Sequence, residues 1–167
     1  MNLYLLRHAK AEEPGSRYSD DSKRPLTEDG EKEMFRVAKG MREMELNFEL
    51  ILSSPFVRAK RTAEIVAEVF KSNKLRFSKN LASGADARNL IDELNEDYAS
   101  FKNILLVGHE PYLSKLISRL CAGDDKFPLH FKKAGLCKLT VGELRADRCA
   151  RLEWLLTPKQ LTALGKR

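Results

Sequence analysis

The chain has 167 residues, 43% hydrophobic and 32% charged, with a formal net charge of +6. That length suits one domain, residues 1–167, able to bury about 70% of its extended surface, and the composition excludes a disordered chain. No apolar run approaches the roughly eighteen residues of a membrane span, and the short apolar run near the N-terminus is unlike a signal peptide, so a cytoplasmic protein with no membrane partner is expected.

Two further bounds come from charge and cysteine. A surplus of base suits either a polyanion-binding surface or a soluble enzyme whose substrate is anionic. Lysine and arginine are interleaved with acids here, and no basic run of five occurs. Dispersed charge favours the second, so no nucleic-acid partner is expected. Cys121, Cys137 and Cys149 are odd in number and lack CxxC spacing. They read as free thiols rather than a disulfide framework or a zinc site, which suits a reducing compartment.

The first predicted element is a buried strand, Leu3-Tyr4-Leu5-Leu6, that runs straight into Arg7-His8. In open α/β sheets ligands sit where strands end. An imidazole there suits a nucleophile or base, and a guanidinium suits an oxyanion, although a histidine beside an arginine is also an ordinary loop feature. Residues 11–24 lack periodicity and read as a loop over the same crevice. Arg24-Pro25-Leu26-Thr27 then announces a helix, with Thr27 as N-cap and Met34, Ala38, Met41 and Leu46 as its apolar stripe.

Leu50-Ile51-Leu52-Ser53-Ser54 is a second buried strand. A helix over about 56–70 follows, with Arg58 in its first turn, where free backbone N–H groups already favour an anion. A short strand at Leu75-Arg76-Phe77 and a turn at Ser83-Gly84 lead to a third helix. Asp86 caps it, and Leu90, Leu94, Tyr98 and Phe101 form its stripe. Asn103–Val107 repeats the pattern of the opening strand and ends in Gly108-His109. A fourth helix turns Leu113, Leu116, Ile117 and Leu120 inward. Leu136–Val141 and Arg151–Leu156 have strand composition without a helix between them, which predicts antiparallel pairing at the sheet margin. Pro158 is expected to end the last strand before a short basic tail.

If the crossovers are right-handed, the three apolar strands end on one edge, where Arg7, His8, Arg58 and His109 meet. Four basic groups together repel one another unless an anion is bound, so a phosphoryl group is their natural occupant.

Here the residues resemble a known family. Leu6-Arg7-His8-Ala9, Leu26-Thr27-x-x-Gly30, Ser54-Pro55-x-x-Arg58-Ala59-x-x-Thr62-Ala63 and Val107-Gly108-His109 are similar, in order and spacing, to the signature of the histidine phosphatase superfamily. Arg24-Pro25-Leu26-Thr27, Gly108-His109-x-Pro111 and the ending Trp154-Leu155-Leu156-Thr157-Pro158-Lys159 narrow the resemblance to its SixA-type phosphohistidine phosphatases. The resemblance implies a phosphoglycerate mutase-like fold: a three-layer αβα sandwich with a mostly parallel mixed sheet and an antiparallel strand. It implies a hydrolase in which His8 is transiently phosphorylated, its tautomer held by a backbone carbonyl. Arg7 and Arg58 would bind the equatorial oxygens, and a charged His109 would donate to them.

No cofactor or metal is expected. A phosphohistidine-bearing protein of the histidine phosphotransfer type is the expected substrate, and a monomer the expected state. The general acid of mutase and acid-phosphatase relatives has no matching motif here. Asp86, Glu110, Asp20 and Asp21 are candidates, each also suited to capping or surface charge. A small-molecule phosphomonoesterase, or a non-catalytic phosphoprotein- or nucleic-acid-binding module, are the alternatives.

Overall fold

A computed structural model describes residues 1–15 and 17–165. β1 (Asn2–Arg7), β2 (Leu50–Ser53) and β4 (Asn103–Gly108) are continuous apolar runs because both faces of each are covered. Side chains alternate across a strand, so each run feeds two cores. Leu3, Leu5, Leu50, Leu52, Ile104 and Leu106 face one of them. Tyr4, Leu6, Ile51, Leu105 and Val107 face the other.

The sheet has six strands in the order β3-β2-β4-β1-β5-β6, with β3 at Leu75–Phe77, β5 at Leu136–Val141 and β6 at Ala150–Leu156. The first four are mutually parallel. β5 runs antiparallel to β1, and β6 antiparallel to β5, as the missing helix between them predicts. Helices α3 (Ala87–Asp97) and α4 (Tyr112–Ala122) cover one face through Leu90, Leu94, Leu113, Leu116 and Leu120. Helices α1 (Glu28–Glu43) and α2 (Val57–Phe70) cover the other through Met34, Val37, Met41, Ala63 and Val66. The fold is thus the expected three-layer α/β architecture.

Three boundaries differ from the sequence reading. Helix α1 ends at Glu43, because Glu45 takes a left-handed conformation (φ 56°), and Leu46 packs beyond the helix. Helix α3 ends at Asp97, and Phe101 reaches the core from outside it. Apolar spacing alone does not separate the two cases. The expected tail is a helix, α5 (Pro158–Leu164), over its described residues. Pro158 begins that helix instead of merely ending β6, since its fixed φ and missing N–H suit a first helical turn. Thr157 and Gln160 form a reciprocal capping box, and Leu161 is buried against α1.

Glycine decides how α1 meets the segment after His8. Thr27 Oγ1 accepts from the Gly30 N–H, and the Thr27 N–H donates to the Lys10 carbonyl at 3.0 Å. A Cβ on Gly30 would lie 2.1 Å from that carbonyl oxygen. Gly30→Ala is therefore expected to cost about 1–3 kcal/mol by overpacking against backbone. A thermal melt should fall by roughly 2–4 °C per kcal/mol lost, and an unchanged melting temperature would show that the helix start is not tightly seated.

Candidate active site

Because β1, β4 and β2 are parallel neighbours, their carboxyl ends share one edge. Arg7 is in register with Gly108, the His8 N–H donates to the Gly108 carbonyl at 3.0 Å, and the Ser54 N–H donates to the Val107 carbonyl at 2.9 Å. The His8 and His109 rings lie 5.2 Å apart between centroids. The Phe56 ring is 5.1 Å from His109 and 5.4 Å from the Arg58 guanidinium carbon, which brings the first turn of α2 to the same place. The structure thus gathers Arg7, His8, Arg58 and His109, and it buries His8, Arg58 and His109.

Each of the four is anchored at one end. His8 Nδ1 lies 2.8 Å from the Ala9 carbonyl. A carbonyl only accepts, so Nδ1 carries the proton and Nε2 keeps its lone pair. The anchoring carbonyl expected from the family resemblance is therefore present. His109 Nε2 lies 2.8 Å from Ser54 Oγ, which also accepts from the Phe56 N–H at 3.3 Å. With the serine O–H donated to Nε2, the proton of a neutral His109 sits on Nδ1. Arg7 Nη1 donates to the Phe131 carbonyl at 2.8 Å, and Arg58 Nη1 to the Asp21 carbonyl at 2.6 Å. Thr62 joins the two halves: its Oγ1 donates to the Arg58 carbonyl at 2.7 Å and accepts from the Ala9 N–H at 3.1 Å.

The free ends tell what the site lacks. Among the described residues four buried side-chain polar atoms have no partner, and Arg7 Nε, Arg58 Nε and His109 Nδ1 are three of them. The two arginine nitrogens are N–H donors, and His109 Nδ1 is a third when Ser54 donates to Nε2. A buried donor without an acceptor costs about 1–3 kcal/mol, so two such guanidinium donors beside an open imidazole nitrogen call for a ligand rich in acceptors. A tetrahedral oxyanion has that character.

Burial sets the protonation of both imidazoles in the free protein. Burial, then the charges of His109, Arg58 and Arg7, push His8 down to about 3, against the support of the Ala9 carbonyl. His8 is therefore neutral near pH 7, as a nucleophile must be. Burial and the Arg58, Arg24 and Arg7 charges push His109 down to about 4, against the opposing Asp21 carboxylate. The charged form of His109 is thus disfavoured in the free protein, where no anion is bound to support it. With Ser54 donating to Nε2, a neutral His109 keeps Nδ1–H as a donor.

The candidate acids are each engaged in other contacts. Asp86 caps α3 through the Arg88 N–H at 2.9 Å, and Glu110 accepts from the Ser114 N–H at 2.9 Å and from its hydroxyl. Asp20 accepts from Ser22, while Asp21 pairs with Arg24 and Arg58. Among the described residues no hydrogen bond joins any of the four to His8 or His109. The sequence reading quoted Ser54, Thr62 and Arg24 only as parts of motifs, and the Asp21–Arg58 contact escaped it. Nothing in spacing ties position 21 to position 58.

Both imidazoles titrate near 6.5 in an unfolded chain. Between that value and about 4 the unfolded chain binds more protons than the folded one, whose values are about 3 and 4. This contribution to stability is complete above pH 6.5 and is lost as pH falls through that window. Urea midpoints should thus fall less steeply from pH 7 to pH 4.5 in His109→Gln than in the unaltered protein. Equal slopes would mean that His109 is not held neutral.

The profile of the histidine phosphatase superfamily (branch 1) matches residues 3–83, the part holding Arg7, His8 and Arg58. An uncharacterised protein of Picosynechococcus is 34% identical over 164 residues, 96% of this chain and 99% of that one. Phosphohistidine phosphatase SixA of Escherichia coli K12 is 28% identical over 166 residues, 96% of each chain. In fold, the solved protein histidine phosphatase SixA complexed with tungstate aligns with a TM-score of 0.84 at 24% identity, over 96% of this chain and 99% of that one. The profile match and the 34%-identical, near full-length relative agree with the shared fold, and this chain belongs to the histidine phosphatase superfamily.

Proposed function

We propose that the protein is a phosphohistidine phosphatase that acts as a monomer on a histidine-phosphorylated cytoplasmic protein. The observation that carries this reading is a neutral imidazole with a free Nε2 beside two buried, unpartnered guanidinium N–H donors and the open Nδ1 of His109. Phosphoryl oxygens of the substrate accept from Arg7, Arg58 and His109 Nδ1–H. His8 Nε2 attacks phosphorus in line as the phosphorus–nitrogen bond to the substrate histidine breaks. Water then attacks the phosphorus of phospho-His8, His8 departs with its lone pair restored, and inorganic phosphate leaves. The donors are in place before reaction, so stabilisation of the moving charge needs no reorganisation.

Choice of the scissile bond follows from the leaving group. An alkoxide is a poor leaving group and needs a proton from a general acid. The four candidate carboxylates are held as caps or ion pairs. The imidazole of a ring-protonated phosphohistidine departs as a neutral molecule and needs no such acid, so the site favours N–P over O–P bonds. Access agrees with a protein substrate. β2 passes to α2 through residues 54–56 and β4 to α4 through 109–111, with no lid domain inserted at either place. The likeness to SixA, a phosphohistidine phosphatase, supports the same choice.

The test is phosphate release from a phosphohistidine protein and from a panel of sugar phosphates. The first should be strongly preferred. Comparable kcat/KM on both would make the protein a small-molecule phosphomonoesterase instead. His8→Ala should lose about 10³-fold or more in turnover while keeping its circular dichroism spectrum, because the side chain projects from a strand end. Radiolabelled substrate should leave an alkali-stable, acid-labile label on His8, and a label elsewhere would assign the nucleophile to another residue.

A further inference from the structure

Arg58 is gripped by the loop that joins β1 to α1. A guanidinium offers five N–H donors in two forks, an end fork of Nη1 and Nη2 and a side fork of Nε and the second Nη2 hydrogen. Asp21 closes the end fork. Its backbone carbonyl accepts from Nη1 at 2.6 Å, and its carboxylate Oδ2 accepts from Nη2 at 2.8 Å. The other carboxylate oxygen, Oδ1, accepts from Arg24 Nε at 3.1 Å and Arg24 Nη2 at 2.9 Å. Arg24 has a side chain only 10% exposed, and its Nη1 donates to the Glu12 carbonyl at 2.7 Å. A buried arginine thus braces an aspartate, and the aspartate fixes Arg58 with its side fork, including the unpartnered Nε, left for a ligand.

We propose that Asp21, braced by Arg24, is a positioning residue that presents the side fork of Arg58 to the phosphoryl group. This rests on the reading that Arg58 binds that group. Asp21 does not serve as the proton donor. Burial draws its carboxyl upward, but hydrogen bonds and charge from Arg24 and Arg58 outweigh that pull and hold it below the usual carboxylate range. Ionised, it also repels an incoming phosphate. Charge and positioning therefore predict opposite signs. If Asp21 acted through charge alone, removing it would tighten phosphate binding; if it orients Arg58, removing it weakens binding although a repulsion has gone.

Calorimetric titration with inorganic phosphate separates the two, using the unaltered protein, Asp21→Ala, Arg58→Ala and the double variant. Asp21→Ala should bind phosphate about tenfold more weakly and lose kcat/KM on a phosphohistidine protein in similar measure, the cost of a misplaced binding group. In the Arg58→Ala background the same change should leave affinity unaltered or improve it, since no guanidinium remains to be misplaced. Tighter or unchanged binding by Asp21→Ala alone would overturn the proposal. So would equal weakening in both backgrounds, which would indicate collapse of the loop. Unchanged binding by Arg58→Ala would instead reject the role of Arg58 itself, and this inference with it. Phosphate affinity does not depend on which bond the enzyme cleaves, so either failure is distinct from failure of the phosphohistidine assignment.

Discussion

The structure is organised around a crowding problem: two guanidiniums and two imidazoles drawn to one edge of a parallel sheet, largely out of water. Taking a charge from water costs several kcal/mol even in a relaxed protein, and like charges held close add to that cost. Two responses are visible. The imidazoles give up their protons, with His8 and His109 held at about 3 and about 4. The guanidiniums, which do not deprotonate, are tied to acceptors: Arg7 to the Phe131 carbonyl, and Arg58 to the carbonyl and carboxylate of Asp21.

These ties leave the same part of each arginine free. An Nη is held by backbone in both, and Nε is unpartnered in both. The histidines follow a similar pattern, with one ring nitrogen anchored and the other open for chemistry. Such anchoring turns side chains with several rotatable bonds into fixed donors, and fixed donors stabilise a charged transition state without the reorganisation that water would need. The rest of the fold serves this end. Two apolar cores hold β1, β2 and β4 in register, Thr62 ties α2 to the segment after His8, and the Ala134 N–H braces the Arg7 and His8 carbonyls.

How much of this is legible in the chain depends on the range of the interaction. Continuous apolar runs ending in polar residues mark the three inner strands, because burial on both faces leaves no alternation to confuse them. Thr27 and Asp86 are readable as caps because a cap contacts its own helix within three residues. Phe101 and Leu46 are misread as helical because a side chain can reach the core from a loop as well as from a helix. Pro158 is misread because proline ends one element and begins the next with the same backbone preference.

By itself the sequence determined the layered α/β architecture, the edge where Arg7, His8, Arg58 and His109 converge, and the family to which their motifs belong. Those are matters of local pattern and of a connection rule that depends little on detail. It took the folded arrangement to show that burial lowers His109, that Ser54 contacts its Nε2, and that Asp21 and Arg24 hold Arg58. Protonation answers to burial and to the sum of surrounding charges, and an ion pair across thirty-seven positions answers to loop geometry. Neither quantity is carried by any short stretch of the chain.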